Sequence, residues 1–448
     1  MLFEDMSFGP YEAGENKARN AFELYEDGKI SAALSELQAA LEINPANSAW
    51  HFNKALALDA ISRFDDAVEE YETALQLNPD DLEILNSLAV DYTRQGQYDR
   101  AIATFEHIQE LDHTFEPAYC NRIIAYTEMA QHDLAEQMFY LAQQIEPDCP
   151  LCYYNIGNSF FVRGQYKKAI SCWQRTAELE PSHPQINYRI AQAYWSAGDN
   201  ENSRQYFLAE LRNSPGSVDV ILDFGLFLLQ TGEVESAKEK FNRILELLPG
   251  HAAAQFYLGE IAFDNADYES AVGLFEHAMQ NDPALPGPRY RLAQYALMQD
   301  NRQQAKAYLV SEVKLAPEDA GILVSMGSMF LTIGDFDYAT HCLLRAVDMD
   351  SANADAYYYL ALVGVAKRHF EDAAQFLAHT LDISPKDVRA LRDSAVVYLA
   401  MGRLADAAER IREARSLTDD AQIKWLDRRI WLLRTVQRFT DFLGRLRP

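Results

Sequence analysis

The 448-residue sequence lacks the short motifs that carry catalysis or bind phosphate. It contains no HExxH pair of histidines, no glycine-rich phosphate loop and no GxSxG turn around a nucleophilic serine. Its ten histidines are scattered, and acidic pairs such as Asp65 and Asp66 fall on an amphipathic helix, where a solvated face explains them. We therefore expect a protein that is not an enzyme and that has no cofactor.

Cysteine is sparse, and the count of five is odd. Such a set suits a reducing compartment better than a disulfide framework. Cys149 and Cys152 form a CxxC, but no second CxxC supplies the other two ligands of a structural zinc site. Folding would have to bring Cys172 and His183 to the pair. We favour two small buried residues in a turn and expect no metal site.

No apolar run is long enough to span a bilayer, and Met1–Tyr11 lacks the basic and apolar regions of a secretory leader. These absences predict a cytoplasmic protein without a transmembrane segment. Positive charge is also scarce, since the formal net charge is −27. A surface of that sign repels phosphate backbones, so we expect no nucleic-acid partner and a preference for basic peptides or proteins.

What the sequence does contain is a repeat, because prolines recur with a period of 34 residues. With that proline taken as position 32, twelve repeats run from residue 14 to residue 421 without an insertion. The prolines in phase are Pro45, Pro79, Pro147, Pro181, Pro215, Pro249, Pro283, Pro317 and Pro385. His113, Ser351 and Asp419 hold the same position in the other three repeats.

Small and bulky residues keep the same period. Position 20 is alanine in eleven repeats, position 8 is glycine or alanine in eleven, and position 24 is always large and apolar. Position 15 is glycine in seven repeats. These constraints predict two helices per repeat, with the glycine just past the first and the proline ending the second. The small residues let the two helices approach, and the large residue fills the space between successive helix pairs.

This pattern resembles the tetratricopeptide repeat (TPR) family over about nine-tenths of the chain. The resemblance implies an all-α fold: a right-handed superhelical solenoid of about twelve 34-residue helix-turn-helix repeats with a C-terminal capping helix. The first helix of each repeat would line a concave groove. The expected segments are an N-terminal cap or tail at residues 1–13, the repeats at 14–421, and a basic amphipathic capping helix at 422–448.

In the resembled family, ligands meet positions 2, 5, 6, 9, 12 and 13 of the first helix. Asparagines there offer a donor and an acceptor to a peptide backbone, and aromatic rings offer contact area at low entropic cost. The predicted groove residues are Asn53, Asn121, Tyr154, Asn155, Asn158, Phe161, Tyr188, Arg189, Gln192 and Trp195. The alternative is that the aromatic rings pack on neighbouring helices and the asparagines are merely solvated.

Two known groove types of the family do not fit this sequence. The carboxylate clamp needs a set of lysine, asparagine and arginine positions that no three consecutive repeats provide. The continuous asparagine ladder of the sugar-transferring members is interrupted at position 6, for example by Arg189 and Asp223. No glycosyltransferase domain follows the repeats.

Each end of the chain has two interpretations. The apolar residues of the first segment predict a cap on the first helix pair, or else a tail that docks on another copy; they are Leu2, Phe3, Met6, Phe8 and Tyr11. An apolar stripe in the last segment predicts a cap on the twelfth repeat; it comprises Ile423, Leu426, Ile430, Leu433, Val436, Phe439, Leu443 and Leu446. Trp425, Trp431 and the arginines beside them predict instead a contact with a protein or an anionic membrane.

The function predicted from these features is that of an interaction scaffold or adaptor, which binds an extended peptide or a protein surface in the concave groove. One alternative is self-assembly into an oligomer or filament, in which the basic end of one molecule meets the acidic body of the next. The other is a regulatory subunit that positions a separate enzyme. The family hosts many roles, so neither the partner nor the pathway follows from the fold.

Overall fold

The computed structural model describes residues 10–445, with side chains for residues 12–438. The secondary structure of these residues is entirely helical, with 25 helices. The chain divides into two units, Met1–Phe227 and Leu228–Pro448, which are treated separately below. The predicted N-terminal cap lies largely outside the described residues, since the first helix begins at Pro10.

In the first unit, consecutive helices pack in pairs, α1 on α2 through α11 on α12. The helices are α1 Pro10–Glu26, α2 Ile30–Ile43, α3 Ser48–Asp59, α4 Phe64–Leu77, α5 Leu82–Arg94, α6 Tyr98–Leu111, α7 Glu116–Glu128, α8 His132–Ile145, α9 Pro150–Val162, α10 Tyr166–Leu179, α11 Ile186–Ser196 and α12 Asn200–Asn213. α13, Val218–Gln230, contains the division between the units. The turns within each pair have three or four residues, which makes the two helices antiparallel.

In the second unit, the same pairing joins α15 to α16 through α23 to α24. The helices are α14 Val234–Leu247, α15 Ala252–Asp264, α16 Tyr268–Asn281, α17 Pro288–Met298, α18 Arg302–Val313, α19 Ala320–Ile333, α20 Phe336–Met349, α21 Ala354–Ala366, α22 Phe370–Ile383, α23 Val388–Ala400, α24 Leu404–Leu417 and α25 Ala421–Arg445. The prediction of an all-α stack of helix pairs is thus confirmed.

The turn inside each pair depends on one left-handed residue at position 15. All seven glycines predicted there have positive φ, between 69° and 92°. The five other occupants also have positive φ; they are Ser62, Ala130, Ala266, Asp300 and Arg368. A left-handed residue ends a right-handed helix and turns the chain back, so glycine is favoured at this position but not required.

The packing between helices rests on contacts of small residues with large ones. Every position-20 residue is fully buried, and so is Ser203, whose hydroxyl donates to the carbonyl of Ala191 at 3.0 Å. Every position-24 side chain is buried as well. A Cβ built on Gly157, at position 8, would lie 2.5 Å from Nε1 of Trp173, at position 24 of the same repeat. The small residue therefore gives the large ring its space.

Nine of the twelve predicted repeat starts coincide with the first residue of a helix. α11 and α17, however, begin two residues later than the predicted starts at 184 and 286. The cause is a left-handed residue at position 2, Gln185 with φ 58° and Gly287 with φ 107°, which cannot belong to a right-handed helix.

The late starts are associated with a buried glutamate at position 27. Glu312 is fully buried, and its Oε1 accepts a hydrogen bond from the backbone N–H of Gly287 at 2.5 Å. Burial raises the pKa of Glu312, although the backbone donors at the start of α17 oppose that rise. Glu210 holds the same position in the repeat of α11 and is also buried.

The last helix, α25, packs its first half against the stack. Ile423, Leu426 and Ile430 are buried in one apolar cluster with side chains of α24, as predicted for a cap. After Ile430 the apolar stripe is no longer buried, as the 60% exposure of Val436 shows. Phe439, Leu443 and Leu446 lie outside the described side chains. None of the helices in the described part of the chain has the length and apolar character needed to cross a membrane.

The close contact at position 8 yields a matched pair of stability predictions in one helix pair. A Cβ on Gly259 would lie 2.6 Å from the buried ring of Phe275, so Gly259→Ala should lower the free energy of unfolding by about 1–3 kcal/mol. A Cβ on Gly273, in α16, would meet nothing within 4 Å. Gly273→Ala should therefore raise stability by up to about 1 kcal/mol through helix propensity. Urea unfolding of both variants checks the pair, and equal effects would contradict it.

Candidate functional site

Six of the predicted groove residues lie on the first helices α9 and α11, three on each helix. Tyr154, Asn158 and Phe161 are spaced by four and three residues, which places them on one side of α9. Tyr188, Gln192 and Trp195 repeat that spacing on α11. All six are half-buried, and we call them the α9–α11 face.

The rings of the α9–α11 face rest on the core and on a neighbouring loop. The ring centroid of Phe161 lies 5.7 Å from that of Trp173, and that of Trp195 lies 6.3 Å from that of Phe207. Tyr154 is tilted on His183 with 4.5 Å between the centroids. The rings are therefore held by packing while one side stays accessible.

A carboxylate joins the polar side chains of α11 to α13. The hydroxyl of Tyr188 donates to Oδ2 of Asp223 at 2.7 Å, and Nε2 of Gln192 donates to the same oxygen at 2.9 Å. Burial, and then the negative charge of Asp223, raise the pKa of Tyr188, so its hydroxyl stays a donor. The second unit repeats the contact, since Tyr358 donates to Oδ2 of Asp393 at 2.9 Å.

The other four predicted residues are Asn53, Asn121, Asn155 and Arg189, and their surroundings differ. Asn53 is exposed on α3, and Asn121 on α7 donates to Oδ1 of Asn86 at 3.1 Å. Asn155 is buried, with 3% exposure, and its amide donates to the carbonyl of Cys120 at 3.2 Å. Arg189 is half-buried, and its Nε has no hydrogen-bond partner among the described residues.

A cluster of sulfur and carboxylate atoms lies where α7 meets α9. Cys149 and Cys152 lie at the start of α9, and Glu116 and Cys120 lie four residues apart on α7. One ligand atom from each of the four side chains lies within 4.8 Å of the other three. The thiol of Cys152 donates to Oε1 of Glu116 at 2.8 Å. We call these four residues the Cys–Glu cluster.

The companions suggested by the sequence are elsewhere. The ring of His183 is tilted on that of Tyr154, and the thiol of Cys172 is affected first by burial and then by the charges of Lys168 and Glu136. Sequence reasoning missed Glu116 and Cys120, which reach the CxxC through the stacking of successive first helices. The available signal was their position, because residues one repeat apart lie side by side in such a stack.

Mutual hydrogen bonding perturbs the acidity of the Cys–Glu cluster. A hydrogen bond from Cys120 holds the pKa of Cys149 far below its ordinary value, and the backbone N–H of Cys152, which donates to the same sulfur, acts in the same direction. The interaction with Cys149 raises the pKa of Cys120, and interactions with Cys120 and then with Cys149 raise the pKa of Cys152. Burial raises the pKa of Glu116 to about 7. Cys149 sits at the N-terminus of α9, where the helix dipole stabilises a thiolate.

Two family models, both described as tetratricopeptide repeat, match more than half of the chain. One matches residues 20–81, 154–218, 222–286 and 325–388. The other matches residues 60–121 and 364–426. No curated protein matches the sequence.

A comparison with solved structures finds similar chains, among them two that are described as tetratricopeptide repeat proteins. A tetratricopeptide repeat protein from Parabacteroides merdae is 18% identical, with a TM-score of 0.44, and covers 53% of this chain and 94% of its own. A thermophilic TPR protein from Thermus thermophilus is 21% identical, with a TM-score of 0.37. The match covers 41% of this chain and 99% of that protein. Yeast Tom70 is 14% identical, with a TM-score of 0.39. The match covers 96% of this chain and 97% of Tom70.

The hydrogen bond between α11 and α13 gives a stability prediction. Tyr188→Phe removes the hydroxyl that donates to Asp223 but keeps the ring, so the free energy of unfolding should fall by about 1–2 kcal/mol. Tyr194→Phe is the control, because its hydroxyl accepts only a long bond of 3.4 Å from Gln174. Urea unfolding measures both variants. A loss for Tyr188→Phe no larger than that of the control would show that the bond contributes nothing.

Proposed function

Because the chain belongs to the tetratricopeptide repeat family, which generally mediates protein–protein interactions, we propose that it is a non-catalytic scaffold. Its α9–α11 face binds an extended peptide segment that carries lysine or arginine. The geometry of the face, in which held aromatic rings alternate with polar groups on two first helices, is the observation that supports this proposal.

The rings of the face are suited to contact because they are already ordered. Phe161 and Trp195 pack on buried rings of their own repeats, so little side-chain entropy remains to be lost on binding. Asn158 is half-buried at position 9 of α9, between Tyr154 and Phe161. Its amide supplies both a donor and an acceptor for a peptide backbone.

Charge favours a basic segment. Asp223 accepts hydrogen bonds from a hydroxyl and an amide, and neither of these neutral groups brings a positive charge to the carboxylate. The whole chain has a formal net charge of −27, which attracts a cationic segment before contact. A lysine or arginine near Asp223 would form an ion pair in a half-buried setting, where screening by salt is reduced.

The proposal predicts selective binding of basic extended peptides. The probes are short unstructured peptides that differ in lysine and arginine content but share the same apolar content. Fluorescence anisotropy measures the affinity of the protein for each peptide. The best binders should be basic, and Asp223→Asn should weaken them about 3–10-fold, the effect of losing one partly exposed ion pair. Asn158→Ala should weaken basic and neutral peptides alike, since it contacts the backbone.

Asp99→Asn is the matched control, because Asp99 is exposed on the second helix α6 and the net charge changes equally. It should leave peptide affinity unchanged. Equal weakening by Asp99→Asn and Asp223→Asn would show that long-range charge alone attracts the peptide. Peptide binding that neither Asp223→Asn nor Asn158→Ala affects would place the binding surface elsewhere.

A second candidate function, self-association, is favoured by the exposed side of α25. Trp425, Trp431 and Leu432 are 60%, 63% and 57% exposed, although they belong to a helix whose other side is buried. Residues 422–448 carry seven basic and two acidic residues, while the rest of the chain is strongly acidic. An apolar stripe with positive charge fits the acidic body of a second copy, which would give head-to-tail contacts.

Two changes at α25 should affect different properties, namely association and stability. Trp431→Ala with Leu432→Ala removes exposed side chains, so it should leave the free energy of unfolding within about 0.5 kcal/mol while abolishing association. Truncation before Gln422 removes Ile423, Leu426 and Ile430 from the core, so it should lower stability by roughly 4 kcal/mol or more. Light scattering over a range of concentration and salt measures association. A wild-type chain that stays monomeric throughout would rule the second candidate out.

A further inference from the structure

The Cys–Glu cluster brings three sulfur atoms and one carboxylate to a single point, which the scaffold function does not use. We propose that Glu116, Cys120, Cys149 and Cys152 bind one divalent zinc ion through three thiolates and one carboxylate oxygen. The site would join α7 to α9 at the junction of two successive repeats. This inference is independent of the partner that the α9–α11 face binds.

The positions of the four ligands follow from the fold. Glu116 and Cys120 are four residues apart in α7, so their side chains share one side of that helix. Cys149 is the N-cap of α9, and Cys152 lies in its first turn. Because α7 packs directly on α9, the start of α9 meets that side of α7.

The distances suit a tetrahedral ion. Zinc–sulfur bonds of about 2.3 Å place the ligand atoms of a tetrahedral site about 3.7 Å apart. The four ligand atoms here lie within 4.8 Å of one another, and Sγ of Cys152 lies 2.8 Å from Oε1 of Glu116. Side-chain rotations that move the atoms by about 1 Å would complete the coordination shell. Three thiolates also exclude magnesium and calcium, which prefer oxygen ligands.

The chemistry of binding is proton displacement without a change of oxidation state. Zinc–sulfur bonds form as thiol protons pass to water, and the carboxylate of Glu116 binds through oxygen. All five cysteines are free thiols in the structure, so the ligands are available.

Neighbouring groups support thiolate ligands. The backbone N–H of Cys152 donates to Sγ of Cys149 at 3.3 Å, at the positive end of α9. Nδ2 of Asn155 lies 3.5 Å from Sγ of Cys120 while it donates to the carbonyl of the same residue at 3.2 Å. Hydrogen bonds of this kind orient metal ligands and stabilise their charge. Asn155 is therefore assigned a role inside the stack.

Cobalt(II) titration of the full-length, reduced, metal-free protein tests the proposal. One equivalent of Co²⁺ should produce sulfur-to-cobalt charge-transfer absorption in the near ultraviolet and intense visible bands typical of tetrahedral coordination. One equivalent of Zn²⁺ should abolish these bands, and a chelator should remove either ion. Asn155→Leu should weaken Co²⁺ binding about 10–100-fold, as loss of an outer-shell partner does.

Three further variants separate ligands from other cysteines. Cys152→Ser should weaken Co²⁺ binding by more than the roughly 100-fold typical of outer-shell changes. Cys172→Ser and Cys342→Ser should leave the spectrum and the affinity unchanged, since neither thiol belongs to the cluster. Circular dichroism verifies that each variant is folded.

Two results would overturn the proposal. One is the absence of a stoichiometric spectrum in reduced wild-type protein, which requires no variant to fold. In that case, loss of two free thiols on mild oxidation would identify a redox-active pair instead. The other is a spectrum that persists in the Cys120→Ser, Cys149→Ser double variant, because the metal would then be bound elsewhere.

Discussion

The structure depends on one recurring contact, in which a residue with little or no side chain at position 8 faces a large side chain at position 24. Gly157 beneath Trp173 and Gly327 beneath Leu343 leave no space for one more carbon atom. This contact fixes how closely the two helices of a pair approach. Because each pair buries its apolar face against the next, a spacing set inside one pair sets the register of the following one.

Most of the fold follows from the sequence because its constraints recur with one period. Every repeat has a left-handed residue at position 15 and a buried side chain at position 24. These requirements are local, so they recur in the sequence of each repeat. The late start of α17 escaped prediction because a contact associated with it is not local. Glu312 lies 25 residues from Gly287, to whose backbone N–H it is bonded. Glutamate at position 27, which is otherwise alanine, isoleucine or threonine, was the signal.

The candidate site was less predictable, because side-chain partners come from adjacent repeats. The sequence identified which residue types occupy the first helices but not what each one contacts. Asn155 turns inward because position 5 of the preceding repeat is the small Cys120, whose carbonyl the amide can reach. At Tyr188 the corresponding partner is Asp223, 35 residues further on, and both side chains stay near the surface. The same pair of positions, 5 in one repeat and 6 in the next, thus forms a buried contact in one place and a half-buried contact in another. The periodicity of the sequence cannot distinguish the two.

Positions 5 and 6 are therefore where side chains of successive first helices meet, and half-buried side chains at positions 9 and 12 belong to the proposed α9–α11 face. α9 carries both arrangements. Its start lies in the Cys–Glu cluster, and its later turns carry Asn158 and Phe161 on the α9–α11 face. A zinc ion bound by Glu116 and Cys120 of α7 would fix the start of α9, and a helix held at one end presents its remaining turns in a defined direction. The two proposals thus concern separate residues but the same element, and a metal at the junction would order the α9 part of the proposed peptide-binding face.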